Sequence, residues 1–149
     1  MTAVIVTGAF GALGRAVVAH LAAAGHQVAG VDLAPAPADF AGDVAVGGVN
    51  LTDEAAVKAA YDDIAGRLGG IAALVNIAGG FVWEPVEGGQ LSSWDRMYQM
   101  NLRTAATSAS AALGHLIASG GSIVNIGANA ALNPAAGMAP YTASKAGVH

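Results

Sequence analysis

Tyr141 and Lys145 stand four residues apart in "YTASK", and on a helix that spacing sets a phenol and an ammonium on one face. A neighbouring ammonium favours the phenolate, drawing the hydroxyl from about pH 10 toward neutrality, where it can give or take a proton. The two residues are therefore a candidate acid/base pair. Near the other end of the chain, Gly8, Gly11 and Gly14 punctuate "TGAFGALG" directly after the apolar run "AVIV". Glycines at such a junction permit a tight turn and close approach of backbone to a ligand, and a helix opening there offers unpaired N–H groups to a diphosphate. Asp32 closes the next apolar run, "QVAGVD", about 20 residues further on, where a dinucleotide site keeps an acid for the adenosine ribose hydroxyls. A carboxylate there repels a 2′-phosphate. No Arg or Lys follows in "LAPAPADF", so NAD is expected in preference to NADP.

These residues need elements to hold them, and the pattern supplies an alternation of short β-rich runs with helical stretches. "AVIVTG" reads as a buried strand, followed by a helix from Leu13 to Ala24 that stops at Gly25. "QVAGVD" is a second strand, "VAVGGVNL" a weaker third, "IAALVNIA" a fourth and "GSIVNIGA" a fifth. Between the third and fourth, Thr52 is the expected N-cap of a helix carrying Val57, Tyr61, Ile64 and Leu68 at helical spacing. Ser92 or Ser93 is expected to cap a long helix reaching Ile117, and a last helix begins around Tyr141 after Pro140. Parallel neighbours must be joined by crossovers, so this alternation predicts a doubly wound α/β domain with a parallel sheet, its ligands beyond the carboxyl ends of the strands.

Composition excludes several alternatives. The 149 residues fit one domain, and 54% hydrophobic against 11% charged residues rules out a disordered chain. The longest stretch without Asp, Glu, Lys or Arg, Thr104 to Ser144, is broken by Gly, Ser, Asn and Pro, so no spanning helix is expected. A net charge of −4 without a basic cluster argues against nucleic acid or an anionic membrane as partner. No cysteine and no basic region ahead of the first apolar run suit a cytoplasmic protein without a secretory leader. His20, His26, His115 and His149 show no metal-ligand spacing, so no metal is expected.

With these motifs in this order, the chain resembles the short-chain dehydrogenase/reductase family along essentially its whole length. The matching segments are "TGAFGALG", Asp32, "NIAGG", Asn101 in "MNLRTA", "GSIVNIG" and "YTASK". The resemblance implies a Rossmann fold, an NAD-dependent oxidoreductase acting on a small carbonyl or alcohol, and a homodimer or homotetramer. It implies Tyr141 as catalytic acid/base, Lys145 as the residue that binds the nicotinamide ribose and lowers the Tyr141 pKa, and Asn101 as holder of a relay water through its backbone carbonyl. It implies cofactor contacts from Gly8, Phe10, Gly11, Ala12, Leu13, Gly14, Asp32, Leu33, Asn50, Leu51, Asn76, Ala78, Gly79, Tyr141 and Lys145.

Two departures from the family pattern bear on function. In the glycine turn, Ala12 takes the place of the usual middle glycine and Gly11 precedes it. Counting back from Tyr141, Ala128 stands where the family keeps a catalytic serine, and a missing oriented donor costs several kcal/mol of transition-state stabilisation. The dihydropteridine reductase subgroup works without that serine, prefers NADH and has similar stretches to "AGGF", "GANAAL" and "KAGVH". By that resemblance Phe81 or Trp83 would stack a pterin ring, and Asn129 is a weaker substitute for the absent hydroxyl. A non-catalytic dinucleotide sensor is the reading from another class. Because the chain stops at His149, where family members continue through further strands and helices, residues 1–149 are expected to be an incomplete single domain.

Overall fold

The structure, a computed structural model, describes residues 3–149. Five parallel strands, β1 (Ala3–Thr7), β2 (Gln27–Val31), β3 (Val44–Val46), β4 (Ala73–Asn76) and β5 (Ser122–Asn125), form one sheet in the order β3-β2-β1-β4-β5. The chain winds outward from β1 to β3, then returns across β1 to lay down β4 and β5. The direction of winding therefore reverses between β1 and β4, the place where open α/β sheets leave a crevice for ligands.

Period-two alternation decides what each face buries. Ile5 on β1 is in register with Ala29 on β2 and Leu74 on β4. Together they face helices α2 (Glu54–Leu68) and α4 (Thr104–Ser119), burying Val57, Tyr61, Ile64, Ala112 and Leu116. Val4, Val6 and Val28 point the other way, against Val18 of helix α1 (Ala12–Ala23). Both faces of the first strands are thus covered, as a parallel sheet requires. β5 differs: all four of its residues are exposed, with Val124 at 51%.

The element boundaries correct the sequence reading at three points. The N-cap of α2 is Asp53, not Thr52. Its carboxylate accepts from the Ala55 and Ala56 N–H groups at 3.0 and 3.1 Å, while the Thr52 hydroxyl turns back to Asn50 Oδ1 at 2.9 Å. The third strand is three residues long rather than eight. Gly48 leaves extended geometry at φ +75°, and Gly47 lies so close under the Ala34–Ala36 loop that a Cβ would strike it.

The long helix expected from Ser92 or Ser93 to Ile117 starts earlier and is not uniform. Helix α3 (Leu91–Met97) is entered from Gln90, passes into a π-helical segment at Tyr98–Arg103, and continues as α4 to Ser119. Wide π turns occur where a side chain must be aimed at a site, and Asn101 lies inside this one. The last helix, α5 (Ala139–Val148), has Pro140 in its first turn, where no N–H partner is needed.

Candidate functional site

A cleft of about 800 Å³ opens along the carboxyl ends of the strands. One wall is the glycine turn. Gly8 has φ +63°, and a Cβ there would lie 2.8 Å from the Ala78 nitrogen. A Cβ on Gly14 would collide with the Gly8 carbonyl. Both glycines are therefore demanded by the packing of the turn itself. Gly11 is different: its φ is −75° and a Cβ would meet only the Gly8 oxygen, at an ordinary 3.5 Å. The protein has room for a side chain at Gly11. It is also the N-cap of α1, with no side-chain cap and no acidic residue in the first turn, so orphan N–H groups remain for an anion.

Asp32 ties this wall to the end of β2. Its Oδ2 accepts from the Phe10 N–H at 2.9 Å and its Oδ1 from the Ala34 N–H at 3.1 Å. Carboxylate oxygens retain further lone pairs for ribose hydroxyls. Asn50 braces the neighbouring wall through the Asn50 Oδ1 bonds from Thr52. At the switch point the Thr7 hydroxyl oxygen accepts from the N–H groups of Ile77 and Ala78 at 3.1 and 3.2 Å, which holds the ends of β1 and β4 together beneath the turn.

Lys145, the expected partner of Tyr141 on α5, is anchored just beyond the end of β5. The Lys145 side chain is 6% exposed and its Nζ donates to the Ile126 carbonyl at 2.7 Å. Burial pushes its pKa down. A Cβ on Gly79 would come within 3.7 Å of that Nζ, so the ammonium adjoins a residue that lines the cleft. The Tyr141 ring packs edge-on against Phe81, centroids 5.0 Å apart and planes at 88°.

Asn101 binds the parts together through its side chain. Oδ1 accepts from the Gly80 N–H at 2.8 Å, while Nδ2 donates to the Gly80 carbonyl at 3.0 Å and to the Ser144 hydroxyl at 2.9 Å. The loop after β4, the π segment and α5 are thereby joined at one buried carboxamide. The Asn101 carbonyl, to which the resemblance assigns a water, receives a long contact from Thr104 Oγ1 at 3.4 Å, which bonds Met100 better at 2.8 Å.

Of the residues expected to touch a cofactor, Gly8, Phe10, Gly11, Ala12, Leu13, Gly14, Asp32, Leu33, Asn50, Leu51, Ala78 and Gly79 all line the cleft. Lys145 adjoins the cleft through Gly79, whereas Tyr141 is not among its lining residues and packs on Phe81. Asn76 does not line it: its amide donates to Asn125 Oδ1 at 2.9 Å and so fastens β4 to β5. Asn129, weighed as a stand-in donor for the absent serine, is paired with Asn133 at 3.2 Å. Trp83 is packed on Gly137, where φ is +77° and any Cβ would strike the indole. Arg96, Gln99, Met100 and Thr104 also line the cleft and were not singled out from sequence. Their three- and four-residue spacing marks one face of a helix, but only the fold reveals that this face looks onto the strand ends.

Comparison with known proteins agrees with the geometry. The sequence profile described as short chain dehydrogenase matches residues 2–149. The chain belongs to this family. Short-chain dehydrogenases are oxidoreductases that typically bind a nicotinamide cofactor. The chain is 34% identical over 160 residues to D-threitol dehydrogenase of Mycolicibacterium smegmatis, covering 97% of this chain and 59% of that protein. It is 31% identical over 150 residues to 3-oxoacyl-[acyl-carrier-protein] reductase of Vibrio cholerae, covering 97% and 62%. Aldohexose dehydrogenase of Thermoplasma acidophilum superposes with a TM-score of 0.87 at 29% identity, over 99% of this chain and 57% of that one. The chain thus spans about three fifths of the relatives it matches. No helix among the described residues is long and apolar enough to cross a membrane.

Proposed function

We propose that the protein is an NAD(H)-dependent oxidoreductase that exchanges hydride between the nicotinamide and a small carbonyl or alcohol substrate. The observation that carries this reading is the adjacency of the two half-sites: the cleft runs from Asp32 past the glycine turn to Gly79, and Lys145 stands next to Gly79. The residues present fit a dinucleotide. Gly11 leaves open a space that the fold does not need, above orphan helix N–H groups suited to a diphosphate. The Asp32 carboxylate suits ribose hydroxyls and disfavours a 2′-phosphate, which supports NADH over NADPH.

When bound, the nicotinamide supplies or accepts the hydride. The protein's own residues handle the proton. Lys145 uses one of its three N–H donors on Ile126; the remaining two are available to a ribose hydroxyl. Tyr141 is the acid that protonates a carbonyl oxygen, or the base in reverse. Asn101 holds Gly80 and Ser144 in place on either side. A second copy docked on the exposed Trp94, Tyr98, Leu113 and Ile117 of α3, the π segment and α4 accords with the homo-oligomer expected for the complete protein.

A second reading, reduction of a quinonoid pterin, is favoured by one pair of facts. Ala128 offers no side-chain donor, and Phe81, half exposed, presents a ring beside Tyr141. The discriminating experiment measures NADH oxidation over a panel of carbonyls and a quinonoid dihydropterin, with Tyr141→Phe as control. Turnover lost on Tyr141→Phe supports the proposal, and the preferred substrate decides between the two readings. Tight NADH binding without turnover in the full-length protein would instead favour a sensor.

A further inference from the structure

The chain has six Lys and Arg side chains, and four of them form ion pairs: Arg15 with Asp39, Lys58 with Asp62, Arg67 with Asp63 and Arg103 with Glu54. Lys145 is held on the Ile126 carbonyl. Among the described residues Arg96 alone has no hydrogen-bonded or ion-paired partner, and it lines the cleft.

The strand order fixes which side of the cleft it occupies. Arg96 lies one helical turn before Met100, whose sulfur sits directly against Gly80. Gly80 follows Ala78, which backs Gly8. Arg96 is therefore on the β4 side of the glycine turn. Asp32 ends β2, on the opposite side of β1. Among the described residues these are the only two charged ones lining the cleft. Without Arg96 the lining would carry one negative charge, and a dinucleotide brings two more. Helix N–H groups supply partial positive charge only.

We propose that Arg96 is a diphosphate-binding residue, reaching across the mouth of the cleft to the anion held over the glycine turn. The proposal rests on the dinucleotide reading above. A guanidinium recognises paired phosphate oxygens by two parallel N–H bonds, a geometry lysine lacks. Its place on the wall away from Asp32 assigns it to the diphosphate rather than to a phosphate on the adenosine ribose.

The test is calorimetric titration of the full chain and its Arg96→Gln and Arg96→Lys variants with NADH, NADPH, ADP and adenosine, at two salt concentrations. Arg96 is exposed, so the variants should melt with the wild type, which a thermal scan checks. Expected for Arg96→Gln is a loss of affinity on the order of tenfold for both NADH and ADP, little change for adenosine, and a shallower salt dependence. Arg96→Lys should recover part of the loss. Equal affinities for NADH would overturn the assignment, as would a loss confined to NADPH or one shared by adenosine. Failure of the wild type to bind NADH at all would instead remove the dinucleotide reading, which is a separate result.

Discussion

The Asn101 carboxamide and the Gly80 peptide form a closed two-bond pair, 2.8 Å at one edge and 3.0 Å at the other, with Ser144 as a third partner at 2.9 Å. Asn101→Ala strips partners from three polar groups, two of them on one backbone unit. Each unsatisfied buried group costs about 1–3 kcal/mol. Denaturant unfolding should therefore report a loss of about 3 kcal/mol, and NADH affinity should fall because Gly79 and Lys145 are no longer held in register.

Gly11 and Gly14 separate binding from folding. A methyl at Gly14 meets the Gly8 carbonyl, whereas at Gly11 it enters the cleft. Gly14→Ala should cost stability by about 3 kcal/mol or more. Gly11→Ala should melt within a few degrees of wild type yet bind NADH on the order of tenfold or more weakly, because the diphosphate is denied close approach. Paired melting curves and titrations check both.

Much of this was legible in the sequence, for identifiable reasons. The order of strands and helices follows from Val and Ile runs such as 3–6 and 28–31 alternating with helical periodicity, and all five expected strands are present. Gly8 and Gly14 were readable because the turn leaves no room for a Cβ at either, and Asp32 because an acid closing the second strand is a pattern the sequence displays. What escaped was tertiary. Asn101 is named through the family resemblance for its backbone carbonyl, but its buried side chain, joined to Gly80 and Ser144, is not foreseen by it. Thr52 lost the N-cap to Asp53 because Asn50 captures its hydroxyl. Arg96 could not be placed on the cleft without knowing where α3 packs.

Tyr61 is fully buried between the sheet and α4, and its hydroxyl makes no hydrogen bond of good geometry. Burial pushes its pKa up to about 12, the nearby Ser108 hydroxyl opposing. Tyr61→Phe removes an unsatisfied buried group while keeping the ring. It should raise stability by about 1 kcal/mol, read as an increase of a few degrees in melting temperature.

Burial lowers the Lys145 pKa in the folded state, so the unfolded chain binds this proton more tightly. Stability contributed by this group is therefore least below the folded pKa. It rises with pH up to the unfolded value, about 10.4, and is level above it. Lys145→Met cancels that dependence. Unfolding free energies across the alkaline range should show the wild type gaining on Lys145→Met as pH rises toward 10.

Asp32 ties the turn to the end of β2 and, in the proposed function, is the charge that meets the ribose. Asp32→Asn should lower NADH affinity and move the NADH-to-NADPH preference toward NADPH by on the order of tenfold, since the repulsion of a 2′-phosphate is gone. Parallel titrations with the two cofactors give the ratio directly.

The most direct measurement is a crystal structure of the full-length protein with NADH bound. The diphosphate should lie over Gly11 to Leu13, the adenosine ribose on Asp32 and the nicotinamide ribose within hydrogen-bonding reach of Lys145 Nζ. A dinucleotide bound in the opposite direction, or seated away from the glycine turn, would contradict the account.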